Sequence, residues 1–280
     1  MKRVLSCILL FMLLLPLISA AEEGVTDDPA VFFAQDLSYD AYVTTPTGKT
    51  FAYYSQKDPL YALWYENKSS QRHRLFSWGG CCPTAAAMAL RCVVEDDEIL
   101  LLQDVLKTPL SFCVCSINKH ECEDGHTRYT PSSQEEYLKL LPVILGEIAC
   151  GNNVSGDVSR TPSGTGTGFL KVISPALGIK ITKTTSWSEA AQAVEDGKGV
   201  MCIAQAGGPF TTVGHWMLYA GCDEEYEYFL DPMTRTEYTN DKGRLVKILH
   251  QGLVCVDKAK RNRAEISQFV ILEKVPANGN

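Results

Sequence analysis

The chain has 280 residues, a formal net charge of −7 and 45% hydrophobic residues. That length and apolar content suit one domain with a sizeable core. An acidic chain is a poor partner for nucleic acid or an anionic membrane, and the short basic run at residues 258–263 reads as a solvated turn.

Residues 1–21 read as a signal peptide. Lys2 and Arg3 precede an apolar run over residues 4–18, and Ser19-Ala20-Ala21 forms a small-residue cleavage site. Pro16 and the modest length argue against a membrane-spanning helix. The protein is therefore expected to be secreted or extracytoplasmic, with no stable membrane insertion once the segment is removed. Losing Lys2 and Arg3 takes the charge to about −9. Residues 22–50 read as an N-terminal arm, 51–275 as the folded domain and 276–280 as a tail.

A short strand is predicted over residues 51–54, followed by an aromatic stretch that packs on a central helix. That helix starts in residues 78–90, Trp-Gly-Gly-Cys-Cys-Pro-Thr-Ala-Ala-Ala-Met-Ala-Leu. Its glycines let a ligand approach the backbone, and Pro83 suits a first helical turn. The run from Ala85 is apolar on every side and is predicted to be buried. A thiol at the mouth of such a helix feels the positive end of the macrodipole, which favours thiolate. The alternative is a buried cysteine pair with no chemistry.

Asp96 or Asp97 caps a second predicted helix running to about residue 107. Residues 108–131 read as a cysteine-bearing insertion. Cys113, Cys115 and Cys122 lie near His120 and His126, but their spacing fits no familiar zinc pattern. With eleven cysteines in an exported chain, most of those outside the central helix are expected in disulfides. No metal and no cofactor is expected. Ser133-Gln134-Glu135-Glu136 opens a helix over residues 133–149, bent at Pro142. Residues 151–168 read as a mobile loop whose Gly164-Thr165-Gly166-Thr167-Gly168 lacks the flanks of a phosphate cradle. A short helix ended by Gly178, a strand over 179–184 and a capped helix ended by Gly197 follow. Strands are then predicted over 200–205, 215–221, 226–231, 244–250 and 266–275. Helices first and antiparallel strands afterwards make the fold class α+β.

A cysteine nucleophile needs a base. Of the five histidines, His215 stands out at the start of an apolar strand, where the default reading is a core residue. The next strand ends in Asp231, and a hairpin between the two brings the acid close enough to fix the imidazole tautomer. Gln56, just after the first strand, reads from sequence alone as an exposed loop residue.

Gln56-Lys57-Asp58-Pro59, Gly80-Cys81-Cys82-Pro83-Thr84 heading an Ala-rich helix, Gly214-His215-Trp216 and Leu230-Asp231-Pro232 together resemble the bacteriocin-processing (double-glycine leader) cysteine peptidases. The resemblance spans residues 53–232. It implies a papain-like fold, with a helical half carrying the cysteine and an antiparallel sheet half. It also implies Cys81 as nucleophile, His215 as base and acid, Asp231 as orienter and Gln56 as a side-chain oxyanion donor that matters more for rate than for folding. The substrate implied is a peptide or protein. Cys82 departs from the family, which usually has glycine there, and offers a competing thiol or a silencing disulfide with Cys81. A catalytically inactive papain-like binding module, or a papain-like acyl or peptidyl transferase, uses the same residues and stays open.

Overall fold

The structure, a computed structural model, describes residues 28–63, 75–105, 129–151, 160–161 and 164–276. The expected signal peptide and the tail beyond residue 276 lie outside the described residues, as do most of the insertion, with Cys113, Cys115, Cys122, His120 and His126, and part of the glycine-rich loop. No helix among the described residues is long and apolar enough to cross a membrane.

The fold is α+β and papain-like: a helical half that carries Cys81 packs against one antiparallel sheet that carries His215. The chain enters through α1 (Pro29–Phe33) and a small hairpin of β1 (Tyr42–Thr44) and β2 (Thr50–Ala52). Next come a 3-10 turn, Pro59–Tyr61, and the short α2 (Phe76–Gly79). The central helix α3 (Cys81–Leu90) follows. The expected second helix is a 3-10 turn, Glu98–Leu101, continuing into α4 (Leu102–Val105), and Asp97 makes no side-chain cap. The long α5 (Gln134–Ala149) carries the full Ser133–Glu136 capping box and keeps Pro142 within it. A minimal hairpin joins β3 (Arg160–Thr161) and β4 (Gly164–Thr165), followed by α6 (Phe169–Leu177), which ends at left-handed Gly178.

The sheet half comprises β5 (Ile179–Thr184), α7 (Trp187–Glu195), β6 (Gly199–Ala204), β7 (His215–Cys222), β8 (Tyr226–Leu230), β9 (Val246–Ile248), β10 (Leu253–Asp257) and β11 (Ile266–Lys274). Its spatial order is β5-β11-β6-β7-β8-β10-β9, antiparallel throughout. The C-terminal strand β11 thus sits inside the sheet, between β5 and β6.

Every residue of α3 from Cys82 to Leu90 is buried, because the helix lies between α5 on one side and β6 and β7 on the other. A helix this apolar is stable only in such a slot. The slot depends on one glycine: a Cβ on Gly199 of β6 would stand 2.0 Å from the Ala89 carbonyl oxygen.

Two sequence expectations change. The segment read as an arm belongs to the core from residue 28 onward, since Phe32, Phe33 and Val43 are buried with it. Ser38 also donates backbone and hydroxyl hydrogen bonds to Asp58 Oδ2 at 2.8 and 2.7 Å. The expected disulfides are absent at Cys92, Cys202, Cys222 and Cys255, which are separate thiols. Geometry keeps two of these apart: Cys222 pairs with Glu227 and Cys255 with Tyr228 on β8. They therefore sit on opposite faces, two strands distant, beyond the reach of a disulfide.

Candidate active site

Cys81 is the first residue of α3, so its backbone N–H is one of the helix's unpaired donors and its thiol sits at the positive end. Gly80 ahead of it is packed against the Phe76 ring, which a Cβ would strike at 2.5 Å. Cys81 is partly exposed whereas Cys82 is fully buried. The Cys82 thiol points the other way, toward the Gly166 carbonyl at 3.5 Å. Burial pushes the Cys82 thiol well up, and the neighbouring Cys81 adds to this.

His215 opens β7 opposite Ala204 of β6. Its Nε2 lies 2.6 Å from Asp231 Oδ1, with both side chains buried. That contact leaves Nδ1 for the side-chain hydrogen bond that joins His215 to Cys81. Asp231 follows the last residue of β8, so the β7–β8 hairpin brings the acid to the histidine from sixteen residues away. Burial alone would depress the imidazole; the Asp231 carboxylate and the Cys81 thiolate overcome it and raise His215 to about 9. Burial likewise opposes the Asp231 charge, yet His215, Arg235 and Tyr238 bring it down to about 2. For Cys81, partial burial raises the thiol, but the hydrogen bond and charge of His215 and a backbone hydrogen bond from Trp216 lower it on balance. The three groups are a coupled proton-sharing set.

Gln56 is buried, not the exposed loop residue that sequence alone suggests. Its Nε2 donates to the Ser77 carbonyl at 2.8 Å. A carbonyl only accepts, so the amide nitrogen faces α2, and its second hydrogen is left for the cleft that Gln56 lines. Because one amide hydrogen is spent on the backbone, Gln56 also makes a contribution to stability. Residues 53–56 are stitched to the Asp231 loop. Tyr53 donates its hydroxyl to the Asp231 carbonyl at 2.9 Å and lies 2.7 Å from the Thr234 hydroxyl. The Gln56 backbone N–H donates to the Pro232 carbonyl at 2.8 Å. Gly252, at φ +65°, makes room for this: a Cβ there would stand 2.2 Å from the Tyr53 hydroxyl oxygen.

The cleft over these groups has a volume near 240 Å³ and is lined by Gln56, Trp78, Cys81, Val213, His215 and Arg235, among others. A larger hollow of about 480 Å³ lies by Tyr39, Tyr54 and Arg91 but contains none of the four candidate residues. The smaller cleft is the chemically equipped one.

All four residues singled out in the sequence thus meet at one place. A family model, that of the Peptidase_C39 like family, matches residues 49–248, well over half of the chain. The chain belongs to the Peptidase_C39 like family. Membership implies a cysteine peptidase type of chemistry and a peptide or protein substrate. No curated protein matches the chain. Twenty solved chains are similar in structure. One, from Bacillus anthracis, bears the name of a C39-like peptidase; it is 18% identical with a TM-score of 0.36, over 70% of this chain and 89% of its own. A likeness that distant adds nothing to the family match.

Sequence reasoning missed the groups behind Asp231. Its Oδ1 also accepts the Met233 backbone N–H at 2.8 Å. Its Oδ2 accepts the Tyr238 hydroxyl at 2.5 Å, with Arg235 Nε at 3.6 Å. The only trace in the sequence is an arginine and a tyrosine four and seven residues after the acid, in a stretch with no regular pattern. Cys113, Cys115, Cys122, His120 and His126, weighed as zinc ligands, lie outside the described residues.

Proposed function

We propose that this chain is an exported peptidase in which Cys81, His215 and Asp231 form a catalytic triad and Gln56 donates to the oxyanion. The observation that carries the reading is the His215 ring held between the Cys81 thiol and a fully buried carboxylate. A thiolate paired with an imidazolium attacks the scissile carbonyl carbon. The oxyanion formed takes hydrogen bonds from Gln56 Nε2 and from the Cys81 backbone N–H. The imidazolium gives its Nδ1 proton to the leaving amine, and the amine departs as the carbonyl re-forms on the thioester. His215 then takes a proton from water, which hydrolyses the thioester and frees the Cys81 thiolate. Asp231 keeps Nε2 protonated throughout.

The experiment is labelling of the reduced protein with a neutral active-site thiol reagent, together with peptide hydrolysis before and after. One selective adduct, at Cys81, with concurrent loss of hydrolysis supports the reading. Hydrolysis that survives complete Cys81 modification, or no reactive thiol in the reduced protein, defeats it. Export rests on residues 1–21 alone and is tested by sequencing the N-terminus of the mature protein from culture medium or periplasm. Within an exported protein, disulfides are expected in the 108–131 insertion, checked by peptide mapping without reductant.

A further inference from the structure

Asp231 makes more contacts than orientation of an imidazole requires. Its Oδ1, the oxygen on His215, is already fixed by the Met233 backbone N–H. The Asp231 backbone is fixed as well, its N–H donating to the Gly252 carbonyl and its own carbonyl accepting the Tyr53 hydroxyl. Nothing about aiming the carboxylate is left for its other oxygen to do. Yet Oδ2 meets the Tyr238 hydroxyl and the Arg235 guanidinium.

These two side chains are themselves braced. The Tyr238 ring stands edge-on to Phe210 at 5.7 Å, and Arg235 lies over the Tyr238 ring at 5.4 Å. Arg235 also donates through a terminal nitrogen to the Phe210 carbonyl at 2.5 Å. Its Nε is buried with no hydrogen-bond acceptor among the described residues, so its strongest neighbour is the carboxylate.

We propose that Arg235 and Tyr238 are positioning residues acting on His215 through Asp231: they share the carboxylate's charge, so that the imidazolium holds its proton loosely enough to release it to the leaving amine. This rests on the proposed triad and goes beyond it. A buried carboxylate answered by nothing but the histidine would grip the imidazolium and make it a poor acid. The other titratable or charged groups around Asp231 are His215 of β7, Cys81 of α3, Cys202 of β6 and Tyr53 after β2. Among these and the two proposed residues, Arg235 is the sole cation besides the imidazolium. The charge-sharing is therefore assigned chiefly to Arg235, with Tyr238 as the hydrogen-bonded second.

The test is the His215 ionisation, followed by NMR of the labelled imidazole in full-length protein whose Cys81 has been capped by alkylation. Arg235→Met removes the positive charge and is expected to raise the His215 pKa by about one unit relative to the capped wild-type protein. Tyr238→Phe keeps the ring against Phe210, removes the donor and shifts the pKa the same way by less. Arg235→Lys retains the charge and stays near the capped wild type. A bracing role alone would loosen Asp231 and move the value down, toward the ordinary histidine range. An unchanged or lowered pKa in Arg235→Met therefore overturns the proposal. Asp231→Asn serves as the control, because it must lower the same value. If it does not, the His215–Asp231 pairing itself fails, which is a different result from failure of the Arg235 role alone.

Discussion

Replacing Asp231 with Asn keeps the shape of the side chain and deletes its charge, and the structure lets the consequence be worked out. The wild-type imidazole ionises at about 9 and the carboxylate at about 2, against ordinary values of 6.5 and 3.8. At about 1.4 kcal/mol per pH unit, displacements of about 2.5 and 1.8 units correspond to about 3.5 and 2.5 kcal/mol; the two are counted once, and the His215–Asp231 pair supplies the larger part of each beside Cys81, Arg235 and Tyr238. The imidazole's raised pKa means its share is present below 6.5 and lost as pH rises through 9. The acid's depressed pKa means its share is present above 3.8 and lost as pH falls through 2. Urea unfolding should therefore separate wild type from Asp231→Asn by about 2 kcal/mol near pH 5, and by much less at pH 10. Reactivity follows the same charge. With the carboxylate gone and the Cys81 thiolate left to oppose burial, His215 in the variant falls from about 9 toward its ordinary 6.5. At pH 7.5 the imidazolium falls from nearly complete toward about one tenth. The Cys81 thiolate that depends on it falls in step. Alkylation of Cys81 by iodoacetamide, measured from pH 5 to 10, should slow by up to about tenfold at pH 7.5 and converge on wild type only at alkaline pH. A variant that keeps wild-type reactivity at pH 6 to 7.5 would refute the coupling of Asp231 to the thiolate.

Three further changes test other parts of the site. Gln56→Ala should cut turnover about 100- to 1,000-fold and lower stability by about 1 kcal/mol, because the Ser77 carbonyl loses its donor; unchanged hydrolysis ends the oxyanion assignment. His215→Ala should shift Cys81 alkylation to alkaline pH, since the hydrogen bond and charge of His215 are lost while burial and the Asp231 charge still raise the thiol, and Cys82 stays the slower cysteine in every variant; mass mapping of the adduct decides which thiol reacted. Gly199→Ala should destabilise by about 1 to 3 kcal/mol or more, since the new methyl would stand 2.0 Å from the Ala89 carbonyl oxygen; an unchanged urea midpoint would mean that α3 and the sheet are not in tight contact.

Cys81, His215 and Asp231 each carried a local signature, whereas Gln56 did not, and it was the family resemblance that placed all four in one site. A glycine pair, cysteines and Pro83 ahead of an apolar run describe a buried helix mouth with a thiol on it. The hairpin spacing between residues 222 and 226 set His215 and Asp231 side by side. Capping patterns located α5 and α7, although only Ser133 has its full box and Ser186 simply accepts the Glu189 amide. What depended on distant packing was not legible. Val254, Cys255 and Val256 are a continuous buried run on β10 that follows the Gly252 turn, and apolar runs this short do not declare their partner strand. The α1 segment looked like a polar arm because two buried phenylalanines are a weak signal beside acids and loop residues. Tyr238 and Arg235 matter through a carboxylate oxygen, a relation that no spacing rule encodes.

The stitching of residues 53–56 to the Asp231 loop bears on how a substrate gets in. Gln56 belongs to the helical half and Asp231 to the sheet half, yet the Gln56 backbone N–H is bonded to the carbonyl of the very next residue after the acid, and Tyr53 and Thr234 close the seam beside it. The two walls of the cleft are thus one piece of masonry rather than the jaws of a clamp. An opening motion between them would break these bonds and displace Gln56 and Asp231, the proposed oxyanion donor and orienting acid, together. Under the proposed function, a peptide reaching Cys81 would pass the exposed Trp78 and Val213 at the lips of the cleft. Backbone amides along this seam should exchange with solvent only when the whole domain unfolds.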